Sequence, residues 1–176
     1  MGKLPILIIV ILDIILLEMA KKLKLDAIYD DEVSIIGISC HKPDYWLALK
    51  INKTLHLNLV HLPSDIMFSS IEGSNSRFYP VFFYASDDAM LSYYLIPNHS
   101  QEGKLFPDQK IIDYFMLVKG RIKDDELSGL ISLLKKIPNV LTAQNLNRKN
   151  IKNLDEFLGE LEVFMLEFSR RKKKSD

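Results

Sequence analysis

The chain reads as a single α+β domain, with a largely antiparallel sheet covered by helices. It is a variant of the ferredoxin-like layout with an added strand and a C-terminal amphipathic helix. Three observations predict this. Its 176 residues are one domain's worth of material, with no composition shift near the middle. Segments rich in β-branched and aromatic residues alternate with segments whose apolar residues recur at helical spacing. Strand-like segments in the middle follow one another across short polar connections, the pattern of antiparallel hairpins.

Val33-Ser34-Ile35-Ile36-Gly37-Ile38-Ser39-Cys40 is β-branched and ends at the turn-like His41-Lys42-Pro43-Asp44, so it predicts a strand. Pro43 suits the first turn of a helix, and Tyr45, Trp46, Leu47, Ile51 and Leu55 supply an apolar face over 43–57. Between 58 and 76, Leu62-Pro63-Ser64-Asp65 marks a turn and Glu72-Gly73-Ser74-Asn75-Ser76 a loop. Three strands follow. Phe78–Ala85 carries Pro80, which cannot donate to a ladder and belongs at a sheet edge or bulge. Met90–Ile96 is joined to it across Ser86-Asp87-Asp88-Ala89, and Lys110–Lys119 ends at Gly120. Asp124 or Asp125 caps a helix striped by Leu127, Leu130, Ile131, Leu134 and Ile137, which Pro138 stops. Val140–Leu146 is a last strand, and helices are expected on one face of the sheet.

Composition excludes several classes. Apolar content of 48% with 26% charged residues is ordinary for a globular chain, and a domain of about 150 residues buries roughly 68–70% of its unfolded surface. Cys40 is the only cysteine, so no internal disulfide or paired-cysteine zinc site can form. Net charge is zero, but residues 170–174 are Arg170, Arg171, Lys172, Lys173 and Lys174. Without them and the terminal Asp176, 18 basic residues (23 less 5) face 22 acidic ones (23 less 1), about −4 for the remainder. The body therefore carries no nucleic-acid-binding signal of its own. No phosphate-cradling glycine loop and no nucleophile elbow occurs. No cofactor, metal ligand set or catalytic residue is assigned, since His41, His56, His61 and His99 lack a ligand spacing.

The two ends differ from the body. Residues 4–17 are fourteen almost uniformly apolar residues with Asp13 inside them, short of the roughly 20 a spanning helix needs. No small-x-small cleavage site follows, while Met19-Ala20-Lys21-Lys22 looks like an ordinary start. The expectation is a hydrophobic leader, 1–18, outside the mature protein, with the domain proper over 19–152. The alternatives are a secretory signal or a membrane anchor through 4–17, whose Lys21, Lys22 and Lys24 would hold the domain on the cytoplasmic side. Membrane contact through this segment requires that 1–18 be retained. Over 153–176, Leu154, Phe157, Leu158, Leu161, Phe164, Met165 and Phe168 form a helical stripe that runs into the basic tail. The tail is read as solvated, with anionic lipid or nucleic acid as the functional alternative.

Phe106-Pro107-Asp108-Gln109-Lys110-Ile111-Ile112-Asp113-Tyr114 resembles the signature of the IPExxxVDY family of bacterial proteins. Pro107, Asp113 and Tyr114 match as they stand, and Phe106, Asp108 and Ile112 are close exchanges for Ile, Glu and Val. The stretches Ile36–Ser39 with Asp44-Tyr45, Tyr93–Ile96 and Phe115–Gly120 extend the resemblance over roughly 20–150. It implies kinship and a cytoplasmic address, and supplies no reaction. On a strand, Asp113 would share a face with Ile111, Phe115 and Leu117, so its carboxylate must find donors, a cation or solvent. The structural expectation is that it accepts N–H bonds from the 97–110 loop. The functional one makes Asp113 and Tyr114 a binding or acid–base pair, with Asp108 and His41 converging on the same pocket.

The leading functional expectation is a non-catalytic interaction or regulatory module with an unidentified protein partner. It rests on the aromatic hairpin Tyr79, Phe82, Tyr84, Tyr93 and Tyr94, read as an interaction patch larger than one sheet face must bury. A small enzyme or ligand-binding protein using Asp113 and Tyr114 is the alternative. Anionic-surface binding through the tail is the third.

Overall fold

A β-branched run buried on both faces belongs at the centre of a sheet, and β1 (Val33–Ser39) lies there, its last five residues all buried. The computed structural model describes residues 33–68, 76–86, 90–101 and 103–175, so the leader expectation and the 72–75 loop lie outside the described residues. Residues 34–176 form one compact unit. After β1 come α1 (Asp44–Leu55), β2 (Val60–His61), β3 (Ile66–Phe68), β4 (Arg77–Tyr79), β5 (Phe82–Ser86) and β6 (Leu91–Pro97). Then follow β7 (His99–Ser100), β8 (Gly103–Lys104), β9 (Tyr114–Lys119), α2 (Asp124–Leu134), β10 (Thr142–Asn145) and α3 (Leu154–Ser175). Six strands form one mostly antiparallel sheet in the order β10-β1-β9-β6-β5-β2, while β3-β4 and β7-β8 make two small ribbons. The fold is α+β, and its four central strands β10-β1-β9-β6 have the order of the ferredoxin-like layout, with β5 and β2 added at one edge.

The hairpin β5–β6 pairs Phe82 with Leu95 and Ser86 with Leu91, as the alternating aromatic pattern implies. Pro80 falls between β4 and β5, where no ladder donor is needed. Two other expectations shift. Lys123 holds the N-cap position of α2, so Asp124 and Asp125 sit in its first turn, where their charge complements the helix dipole. The strand expected from Lys110 begins only at Tyr114, because the backbone before it is already committed to turns.

Side-chain parity divides the core. Ile36, Ile38, Leu95, Met116 and Val118 face α1 and α2, which contribute Leu47, Ile51, Leu127 and Leu134. On the other face, Phe115 meets Phe106 edge-to-face (5.0 Å between centroids, 88°), and Phe106 meets Phe157 of α3 (5.6 Å, 88°). Helices thus cover both faces instead of one. The C-terminal helix takes the second face because Phe115 and its neighbours leave an apolar layer there for Phe157, Leu158 and Leu161 to bury.

One buried amide organises the turns between β6 and β9. Asn98 has no exposed surface. Its Nδ2 donates to the carbonyls of Gln109 (3.1 Å) and Ile112 (2.8 Å), and its Oδ1 accepts from the Phe106 N–H (2.8 Å). Its backbone N–H donates to the Asp113 carbonyl (2.7 Å), and its own carbonyl accepts from Leu105 (2.8 Å). Asn98→Ala would strand one donor and two acceptors inside the protein. We expect it to lower the free energy of unfolding in urea by about 2–5 kcal/mol, against less than about 1 kcal/mol for the exposed Asp108→Ala.

Candidate functional site

Three chain segments meet where the central strands end. β1 runs out at Ser39 and the chain turns through Cys40 to Lys42 into α1, whose N-cap is Pro43. β6 ends at Pro97, leading to Asn98 and His99. Asp113 immediately precedes β9, its N–H donating to the Ile38 carbonyl (2.9 Å). Together these segments line an open cleft of about 470 Å³ that includes Cys40, His41, Lys42, His99, Asp113 and Tyr114.

The carboxylate of Asp113 is the fixed point. Oδ2 accepts from the Cys40 N–H at 2.8 Å. The two imidazoles flank it, His41 Nε2 lying 3.8 Å from Oδ2 and His99 Nε2 lying 3.6 Å from Oδ1. Those separations put both rings beside the carboxylate but are too long for direct hydrogen bonds. Asp113 is 19% exposed, whereas His41 and His99 are 80% and 50% exposed, so the rings stand at the mouth with the carboxylate behind them. The donor to Asp113 is thus the end of β1 and not the 97–110 loop. That loop contributes His99 instead, because Asn98 turns the chain there. Nor does Asp113 sit inside the expected apolar row: β9 begins after it, and Ile111 is exposed.

Tyr114 is buried beneath the cleft, and its hydroxyl donates to the Lys42 carbonyl, tying β9 to the entry of α1. Burial, then electrostatic interaction with Asp44, Cys40 and Asp113, pushes its phenol well above the ordinary range, so it is a hydrogen-bond donor and not a base. Ser39 Oγ donates to the Ile111 carbonyl and receives the Thr142 hydroxyl (3.1 Å), closing the floor of the turn. Cys40 is buried, and the N–H it lends Asp113 is its clearest part in the site.

The other motif residues go elsewhere. Phe106 and Ile112 are core residues. Ile112 presses on β1, where a Cβ added at Gly37 would meet Leu146 Cδ1 at 2.7 Å and Ile112 Cδ1 at 2.8 Å, so a larger residue there would make both side chains shift. Pro107 and Asp108 line a separate cavity of about 160 Å³ with Arg77 and Lys152. Asp108 accepts from Gln109 Nε2 (3.0 Å) and, at 3.4 Å, from the Lys152 N–H near the start of α3. The convergence of Asp108 with His41, Asp113 and Tyr114 is therefore corrected: three share the cleft, and Asp108 does not. His99 and Asn98 were missed by sequence reasoning, their only signal being the turn chemistry of Pro97-Asn98.

The aromatic interaction patch is also corrected. Tyr79, Phe82, Tyr93 and Tyr94 are buried and Tyr84 is half-buried, stacked on Tyr93 at 6.1 Å. These rings fill the core because both faces of the hairpin are covered. At the C-terminus the helix extends to Ser175, with Arg170 and Arg171 exposed on it. Lys172, Lys173 and Lys174 lie on its last turns, and their side chains fall outside the description.

Among the described residues no group of three His, Cys, Asp or Glu side chains could hold a metal ion, and no helix is long and apolar enough to cross a membrane. No family model matches the chain, and no curated protein matches it.

Burial also raises the phenols of Tyr93 and Tyr94, pushing Tyr94 up to about 12, with Glu162 adding to the effect there. A buried phenol stays protonated in the fold after the unfolded chain begins to ionise near pH 10. This contribution to stability is therefore complete below about pH 10 and lost as pH rises towards about 12. Urea unfolding followed from pH 8 to 12 is expected to show that decline, and Tyr94→Phe is expected to make it shallower.

Proposed function

We propose that the chain is a small ligand-binding or acid–base protein whose working site is the cleft around Asp113. The observation that carries this reading is one anchored carboxylate between two exposed imidazoles at the mouth of a cavity. The carboxylate lies near the Nε2 of each ring, so a small polar ligand held between the rings would meet all three groups. His41 and His99 are then the groups that accept or deliver a proton, and Asp113 is the positioning residue. Tyr114 and the Cys40 N–H hold the frame. Lys42 on the same wall favours a small polar ligand carrying a carboxylate or phosphate group. Membership of the IPExxxVDY family and a cytoplasmic location belong to the same reading, supported by the Pro107, Asp113 and Tyr114 matches and the single cysteine. A role in protein interaction loses its original support, because the hairpin rings are buried, and has to be sought on another surface.

The test is an NMR titration of the His41 and His99 side-chain resonances against a panel of small carboxylates and phosphates. Both rings are expected to respond together to one class of ligand. Asp113→Asn keeps an acceptor for the Cys40 N–H and removes the charge, so the fold should survive while affinity falls about tenfold or more. A panel that moves neither ring, or an Asp113→Asn variant that binds as well as the parent, would sink the proposal.

A further inference from the structure

An anion entering the cleft would place the two imidazoles between two acceptors. Behind the rings is the carboxylate of Asp113, which is 19% exposed and accepts from one backbone donor, the Cys40 N–H, at 2.8 Å. An ionised carboxylate offers about four acceptor positions, so it has room for further donors. The basic groups beside it are His41 Nε2 at 3.8 Å and His99 Nε2 at 3.6 Å, which come from different chain segments. A neutral imidazole carries one N–H, whereas an imidazolium carries two. A neutral ring can therefore serve the carboxylate or an anion in the mouth. Only a protonated ring can serve both.

The charges that line the cleft lead to the same requirement. With neutral rings, the one cation Lys42 stands against the two carboxylates Asp44 and Asp113, a net −1; with both rings protonated the sum is +1. Asp44 Oδ1 accepts from the Tyr45 N–H (2.7 Å) at the start of α1, and the Tyr114 hydroxyl donates to the Lys42 carbonyl. Cys40 is buried. On the other wall Lys104 is the cross-strand partner of His99, its Nζ donating to the Lys110 carbonyl (2.9 Å), and Arg77 Nη1 donates to the Lys104 carbonyl (2.9 Å). Of the side-chain types gathered here, imidazole is the one that ordinarily changes its charge between about pH 5 and 8.

We propose that the cleft takes up its anion together with protons: a fully ionised carboxylate or tetrahedral oxyanion binds when His41 and His99 are protonated and is released as they lose their protons. The proposal rests on the reading of the cleft as a ligand site and adds its control by pH. The sign follows from the rings. Their positive charge is present at low pH and lost as pH rises, so affinity is highest near about pH 5 and lowest near about pH 8. Linkage requires the converse, that a bound anion raises the pH at which the rings give up their protons.

Sulfate and trifluoroacetate are suitable probes, because each keeps its charge over this range and any pH dependence then belongs to the protein. The full chain is titrated with each from about pH 5 to 8 while the side-chain resonances of all four histidines are followed by NMR. At least one probe is expected to bind about tenfold or more tightly at the acid end. His41 and His99 should respond, and His56 and His61, which are not part of the cleft lining, should stay still. His41→Gln and His99→Gln change exposed side chains, so their circular dichroism should match the parent. Each should weaken the pH dependence, and the double variant should abolish it. A probe that moves both rings with one affinity across the range overturns the proton coupling and leaves the cleft as a ligand site. Rings silent to both probes at every pH also overturn it, and the wider panel of carboxylates and phosphates then decides separately whether the cleft reading survives. A response shared by all four histidines, or retained by the double variant, is a general ion effect and overturns it as well.

Discussion

Much of the molecule hangs on the amide of Asn98. Residues 105–113 contain little regular structure, and their backbone groups would be expensive to bury unpaired. Asn98 takes one donor and two acceptors from that stretch through its side chain, and one of each through its backbone. The consequences run outward in both directions. Phe106 is held where it meets both Phe115 and Phe157, so the second core face, and with it α3, depends on the turn. Asp113 is held at the mouth of β9, within reach of the end of β1, so the cleft depends on it too. His99, the next residue in the chain, is carried to the carboxylate as a by-product of the same turn.

This explains why the motif from Phe106 to Tyr114 reads as one signature and serves two places. Phe106 packs on Phe115 and Phe157, while Ile112 lies against Gly37 of β1. Asp108 looks towards the start of α3, while Asp113 and Tyr114 look towards the start of α1. A segment that must satisfy a buried amide, fill two core positions and present a carboxylate has little freedom in residue type. That constraint is structural first, and any chemistry at Asp113 is built on it.

The elements were legible wherever local pattern and tertiary need agree. The β-branched run of β1, the Pro43 entry to α1, the stripe of α2 and the alternating aromatics of β5 and β6 each carry their period in the sequence. What stayed hidden depends on long-range contacts. Periodicity extends the third strand back to Lys110, because Ile111, Ile112 and Asp113 look like strand residues. Only the carbonyls claimed by Asn98 and the N–H claimed by Ile38 end it at Tyr114. The side taken by α3 was equally invisible, since a stripe says that a helix must bury a face without saying which layer receives it. The site was half legible: an acid beside apolar residues announces itself, but its partners Cys40 and His41 are more than seventy residues away in the chain.

The aromatic hairpin shows how an inference from composition can fail for a physical reason. Five rings are more than one sheet face needs if the sheet is covered on one side only. With α1 and α2 on one face and α3 on the other, both faces are interior, and the rings of Tyr93 and Tyr94, neighbours on β6, are each buried on their own side. The surplus was evidence of a second covering layer. The same logic turns round on α3 itself. A helix that covers a sheet needs one apolar stripe, and α3 has that stripe in Leu154, Phe157, Leu158 and Leu161. Val163 and Leu166 stand outside it, exposed on the side turned away from the sheet. Where the hairpin's surplus rings mark a second covering layer, the buried stripe of α3 is the surface that supplies it.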